Sequence, residues 1–114
     1  MTERLYFFCD LVDDAAAISA YEQYHAPGAV WPEVLKSIRE AGIQSMEIFR
    51  AGNRLVMVME VDDRFDPTAK AEADAANEVV QSWERKMDAF QRRLPFAPNG
   101  EKWVQAHRIF YTEA

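Results

Sequence analysis

The run IQSMEIFRAGNRLVMVMEV, from Ile43 to Val61, constrains the fold more than any other part of the chain. Two stretches rich in β-branched, aromatic and methionine side chains meet at Ala-Gly-Asn, and the Gly-Asn pair supplies the positive φ that a tight hairpin turn requires. A hairpin needs further strands to bury its apolar face. RLYFFCDLV, Arg4 to Val12, is short, aromatic and apolar on both parities, which predicts a central strand. EKWVQAHRIFYTE near the C-terminus places Trp103, His107, Ile109 and Tyr111 on one parity and Val104, Ala106 and Phe110 on the other, the pattern of a closing strand.

Helical patterning fills the intervals. After Asp13 and Asp14, both N-cap candidates, Ile18, Tyr21 and His25 fall at i, i+3 and i+7, one stripe of one helix. Pro27 and Gly28 break it. WPEVLKSIREAG then sets Pro32 in a first turn, Val34, Leu35 and Ile38 on one side, and Gly42 past the end. The segment from Asp62 to Leu94 predicts one long helix, with Val80, Trp83, Met87, Phe90 and Leu94 as its packing stripe. The order is βαββαβ, an α+β ferredoxin-like plan in which helices cover one face of an antiparallel sheet. The other face is then apolar and uncovered, which predicts a homodimer, a dimeric α/β barrel.

The 114 residues form a single domain, 1–114, long enough for one core. A net charge of −6 lacks the basic footprint of a nucleic-acid or anionic-membrane partner, so the expected ligand is small and neutral. Cys9 is the only cysteine, which excludes an intramolecular disulfide and predicts a cytoplasmic protein. The N-terminal run is too short and too charged for a signal peptide or a membrane span.

Tyr21 and His25, four residues apart, lie about 40° apart around a helix axis, so a phenol and an imidazole share one face. Tyr-x-x-x-His followed by Trp31-Pro32-Glu33, a strand leading to RLVMVMEV, and VVQSWERKM around Trp83 and Met87 together resemble the L-rhamnose mutarotase family over nearly the whole chain. The resemblance implies a dimeric ferredoxin-like isomerase that interconverts the α and β anomers of a 6-deoxy-L-hexose, L-rhamnose or L-fucose. It implies His25 as proton donor, Tyr21 as a substrate-binding phenol and Trp83 at the sugar. Three departures bear on the choice of sugar. Glu84 stands where the family has a second tryptophan, Met46 stands where it has a tyrosine, and APGAVWP is two residues longer than the usual link.

Opening a pyranose moves one proton off the anomeric hydroxyl and one onto the ring oxygen. An acid and a base suffice, and histidine, with an ordinary pKa of about 6.5, can donate and accept near neutrality; the second proton-transfer group is left open. No metal, nucleotide or covalent intermediate is needed, and no cofactor is expected. The sequence has no Gly-rich phosphate loop, no metal-ligand spacing among Cys9, His25 and His107, and no nucleophile elbow. Trp31 and Trp83 offer apolar faces for a sugar ring, while any of Asp10, Glu47 and Glu60 that pointed inward would be a candidate to bind a sugar hydroxyl or to serve as the second proton-transfer group. Two other readings fit the same architecture: a small ferredoxin-like monooxygenase with an apolar pocket, and a sugar-binding domain without catalysis.

Overall fold

The structure, a computed structural model, describes residues 1–113. Strand β1 (Glu3–Leu11) leads into helices α1 (Ala15–Tyr24) and α2 (Pro32–Glu40). The hairpin β2 (Ile43–Ala51) and β3 (Arg54–Val61) follows, then α3 (Pro67–Ala75) and α4 (Glu78–Asp88), and two short strands, β4 (Gln91–Arg92) and β5 (Val104–Gln105). The sheet order is β2-β3-β1-β4, with β5 also pairing β1, and every pairing is antiparallel. This is the expected α+β, ferredoxin-like arrangement with β1 at its centre.

Alternation along β1 sends Leu5, Phe7, Cys9 and Leu11 to one face, with Leu55, Met57, Met59 and Val61 of β3 beside them. The helices cover this face, and two core clusters form there. One gathers Leu11, Tyr21, Val34, Leu55, Trp83 and Met87, and the other Ile43, Met59 and Val61. A bulge between Ile43 and Ser45 lets Ile43 and Met46, which differ in parity, both face inward.

Local chemistry sets the element boundaries. Asp14 caps α1 by accepting from Ala17 N at 2.9 Å. Gly42 ends α2 at φ 90°, and a Cβ there would lie 2.6 Å from Asp62 Oδ1, so any other residue is strained here and displaces the Asp62 carboxylate. Gly52 takes φ 60° in the two-residue turn of the hairpin. Its neighbour Asn53 grips the end of β1: its carbonyl accepts from Leu11 N at 2.7 Å and its Nδ2 donates to Leu11 O at 3.0 Å.

Three sequence expectations are corrected. The long helix is two helices, because the Asn77 side chain accepts from Val79 N and Val80 N and starts α4 afresh. Its stripe holds through Val80, Trp83 and Met87, whereas Phe90 and Leu94 lie beyond the end of α4. The closing strand is also shorter than its pattern. β4 and β5 share one edge of β1, and the last bond from this segment is Ala106 N to Tyr6 O at 2.8 Å. Beyond it Ile109, Phe110 and Tyr111 are exposed. Among the described residues, no helix is long and apolar enough to cross a membrane.

Candidate active site

Residue 25 lies just past the last turn of α1, since the helix ends at Tyr24 and His25 is its C-cap. The imidazole still folds back over the helix: His25 Nδ1 is 2.8 Å from the Tyr21 carbonyl oxygen. A carbonyl can only accept, so Nδ1 carries the proton and donates it. In neutral His25 the other nitrogen, Nε2, is therefore a free proton acceptor, and in the imidazolium it is a donor. One backbone contact thus fixes both the orientation and the tautomer of the ring.

An aromatic wall surrounds this imidazole. Its centroid is 4.4 Å from the Tyr21 ring and 5.5 Å from Trp83, the latter edge-on at 71°. Trp31 packs on Trp83 at 5.2 Å, and Tyr24 meets Trp83 at 6.2 Å and Phe90 at 5.7 Å. Local sequence explains the convergence. The turn through Pro27 and Gly28 (φ 82°) returns the chain so that Trp31, entering α2, reaches the α4 stripe at Trp83. Aromatic edges and faces at these distances suit the apolar face of a sugar ring.

The polar lining is sparse. Tyr21 is 3% exposed, and burial pushes its phenol up to about 12, so it stays a neutral hydrogen-bond donor across the physiological range. Gln91 Nε2 donates to the Tyr21 hydroxyl at 3.3 Å. Glu84 is half-exposed on α4 and accepts from Lys102 Nζ at 2.6 Å. Cys9 is fully buried, and burial pushes its thiol up to about 11, as expected of a small apolar core residue.

The structure thus brings together Tyr21, His25, Trp31 and Trp83, with Glu84 near the phenol. Met46 lies apart from them, half-buried in the second cluster opposite Met59. Asp10, Glu47 and Glu60 all occupy the sheet face away from the helices. Asp10 is buried but already bound by Arg54 through Nε at 2.8 Å and Nη2 at 3.1 Å, and Glu60 pairs with Arg4 at 3.5 Å. His107 is exposed on the terminal segment. Sequence reasoning missed Tyr24 and Gln91 as neighbours of this site. Tyr24 is adjacent in register to a stripe it does not belong to, and Gln91 has no local signal, because strand pairing with Leu11 is what turns it inward. A separate surface cavity of about 270 Å³, lined by Ser37, Glu40, Arg64 and Lys70 among others, includes none of these residues. Its two cations, Arg64 and Lys70, are engaged by Asp62 and Asp74.

The fold and the site together define a class: a small ferredoxin-like α+β protein with one histidine held among aromatic side chains by a backbone carbonyl. The model for the family described as L-rhamnose mutarotase matches residues 4–112. The chain is 52% identical over 108 residues to an L-fucose mutarotase of Xanthomonas campestris pv. campestris, covering 95% of this chain and 86% of that protein. It therefore belongs to the L-rhamnose mutarotase family, whose members are carbohydrate isomerases. Of the readings the sequence left open, family membership favours sugar isomerisation over the monooxygenase. In fold it is similar to the crystal structure of an L-rhamnose mutarotase from Formosa agariphila (TM-score 0.69, 24% identity, 97% and 99% of the two chains covered). It is also similar to tetracenomycin F2 cyclase from Streptomyces glaucescens, a type-II polyketide cyclase (TM-score 0.63, 16% identity, 98% of each chain).

Proposed function

We propose that the protein interconverts the α and β pyranose anomers of L-fucose, with His25 as the proton-transfer group. The observation that carries the chemistry is the His25 Nδ1 contact to the Tyr21 carbonyl, which leaves Nε2 free beside an aromatic wall. The relationship to an L-fucose mutarotase supports the choice of sugar within the 6-deoxy-L-hexoses.

The steps balance with one base. Nε2 takes the proton of the anomeric hydroxyl, the bond from C1 to the ring oxygen breaks as C1=O forms, and the imidazolium returns that proton to the ring oxygen. The aldehyde turns about C1–C2, and the same steps run backwards on its other face. Both reacting oxygens hang on C1, so one imidazole can serve each in turn. Tyr21 donates from its neutral phenol to the sugar, and Trp31 and Trp83 present apolar surface to the ring. In this assignment Glu84 lines the rim, and Met46 supports the pocket from the adjacent cluster rather than touching the sugar.

Saturation-transfer NMR of anomer exchange tests the proposal. The protein at micromolar concentration is expected to accelerate exchange of L-fucose well above the buffer rate, and L-rhamnose less. Tight binding without acceleration would leave a sugar-binding domain instead.

A homodimer through the outer sheet face belongs to the same proposal. On that face Phe8 stands opposite Val56 and Val56 opposite Phe49, with Tyr6 beside Val58. Tyr6 is 42% and Phe49 52% exposed, which together with their aliphatic neighbours makes a continuous apolar surface. Sedimentation is expected to give twice the chain mass for the wild type and the single chain mass for Val56→Asp, which sets a carboxylate between Phe8 and Phe49. A monomeric wild type at micromolar concentration would remove the dimer. The lone buried Cys9, kept as a thiol, supports a cytoplasmic location.

A further inference from the structure

Gln91 sits in an unusual position for a side chain of its kind. β4 pairs it with Leu11, which turns it to the helix-covered face, where it is only 8% exposed. One end of its amide is used: Nε2 donates to the Tyr21 hydroxyl at 3.3 Å. The other is not. Among the described residues, Gln91 Oε1 is the one buried polar side-chain atom without a hydrogen-bond partner. Rotating the amide by half a turn does not remove the problem. Oε1 would then accept from the phenol, and Nε2 would be left with both hydrogens unpaired. In either orientation one end of the amide is unspent, at a free-energy cost that an apolar residue of the same length would not carry.

We infer that the Gln91 amide is a sugar-binding group of this site, reading the configuration of a ring hydroxyl through its unpaired end while its other end holds the Tyr21 phenol. This rests on the mutarotase reading and adds to it a residue that sets which 6-deoxy-L-hexose is preferred. Three points of the geometry support it. Gln91 reaches the phenol directly, and the phenol ring lies against the His25 imidazole. The phenol oxygen accepts from Gln91, so its own hydrogen is free to go to a sugar oxygen, giving a chain from amide to phenol to sugar. The unpaired Oε1 accepts, and a sugar hydroxyl donates. The strand partner of Gln91, Leu11, and its chain neighbour, Phe90, are apolar. L-Fucose and L-rhamnose differ only in the configuration of the hydroxyls at C2 and C4, so a single acceptor placed for one of these hydroxyls discriminates between them.

The test compares the wild type with Gln91→Met, which keeps the length of the side chain and removes the amide, and with Gln91→Leu, which guards against a packing fault peculiar to one variant. Anomer-exchange kinetics by NMR are measured for both sugars, with thermal unfolding in parallel. The melting temperature of at least one variant is expected to stay within a few degrees of the wild type, because removal of the unpaired Oε1 offsets the lost Nε2 bond to the Tyr21 hydroxyl. KM for L-fucose is expected to rise about tenfold with little change in kcat, the mark of a lost binding contact. The L-fucose to L-rhamnose ratio of kcat/KM should fall by a similar factor. An unchanged ratio, whether both sugars are unaffected or slowed alike, overturns the inference. So does loss of cooperative folding in both variants, which would assign the amide to the fold. A wild type that exchanges neither sugar refutes the mutarotase reading itself, and the role of Gln91 with it.

Discussion

His25→Ala is expected to slow anomer exchange by about 10²-fold or more, the loss that follows when a positioned general acid or base is removed. Sugar affinity falls much less, because the aromatic wall of Trp31, Trp83 and Tyr24 remains. The fold is expected to survive as well, since the substitution deletes one hydrogen bond to the Tyr21 carbonyl, about 0.5 to 1.5 kcal/mol, at the C-terminal end of α1. Tyr21→Phe has a different signature. It removes the acceptor of Gln91 Nε2 and leaves a buried amide with neither end paired, at a cost of about 1 to 3 kcal/mol in stability. Its effect on exchange is smaller than that of His25→Ala, because the backbone carbonyl that orients the imidazole is untouched. In the double variant the two effects on rate are less than additive. NMR exchange rates for the four proteins, each checked by circular dichroism, decide the matter. Wild-type exchange by folded His25→Ala would end the proposed mechanism.

Trp83→Ala is expected to destabilise the protein by about 3 to 5 kcal/mol, a large part of the total stability of a domain of this size. Helical spacing alone leaves open whether this tryptophan serves the core or the sugar; the structure places it in the core, and the proposed function adds the sugar. Trp83 is 5% exposed, belongs to the cluster of Leu11, Val34, Leu55 and Met87, and bears on His25, Trp31 and Tyr24 at once. Truncation therefore lowers the melting temperature by more than about 10 °C and disorders the imidazole with it. Trp83→Phe keeps an aromatic edge and separates the two roles: most of the stability returns, while affinity for the sugar stays reduced. Urea unfolding and sugar titrations of both variants measure this. A Trp83→Ala protein as stable as the wild type would show that its indole is not part of the core.

The hairpin, the central strand and the capped ends of α1 and α2 were legible in the residues, because each depends on short-range chemistry. Gly52 supplies a positive φ, Asp14 a cap, Pro32 a first turn and Gly42 a stop, and none of these needs a distant partner. The break at Asn77 was local too, but the alanines running up to it and Glu78 just after it hid it, since composition continued helical where the cap began a new helix. Tyr-x-x-x-His and the tryptophans named the family, and hence the kind of chemistry.

What the sequence determined by itself was the alternation of apolar side chains, the turns and caps, and the presence of an imidazole one helical turn from a phenol. Only the tertiary structure decided which carboxylates face the helices and which residues complete the site. Asp10, Glu47 and Glu60 went to the outer face through strand register with β3 and β2, a long-range pairing that no local pattern specifies. Gln91 came to the phenol through two ladder pairs with β1, across a separation of 70 residues from Tyr21. Its half-satisfied amide exists only once the chain has closed around it, because hydrogen-bond satisfaction is a property of the packed interior and not of the order of residues along the chain.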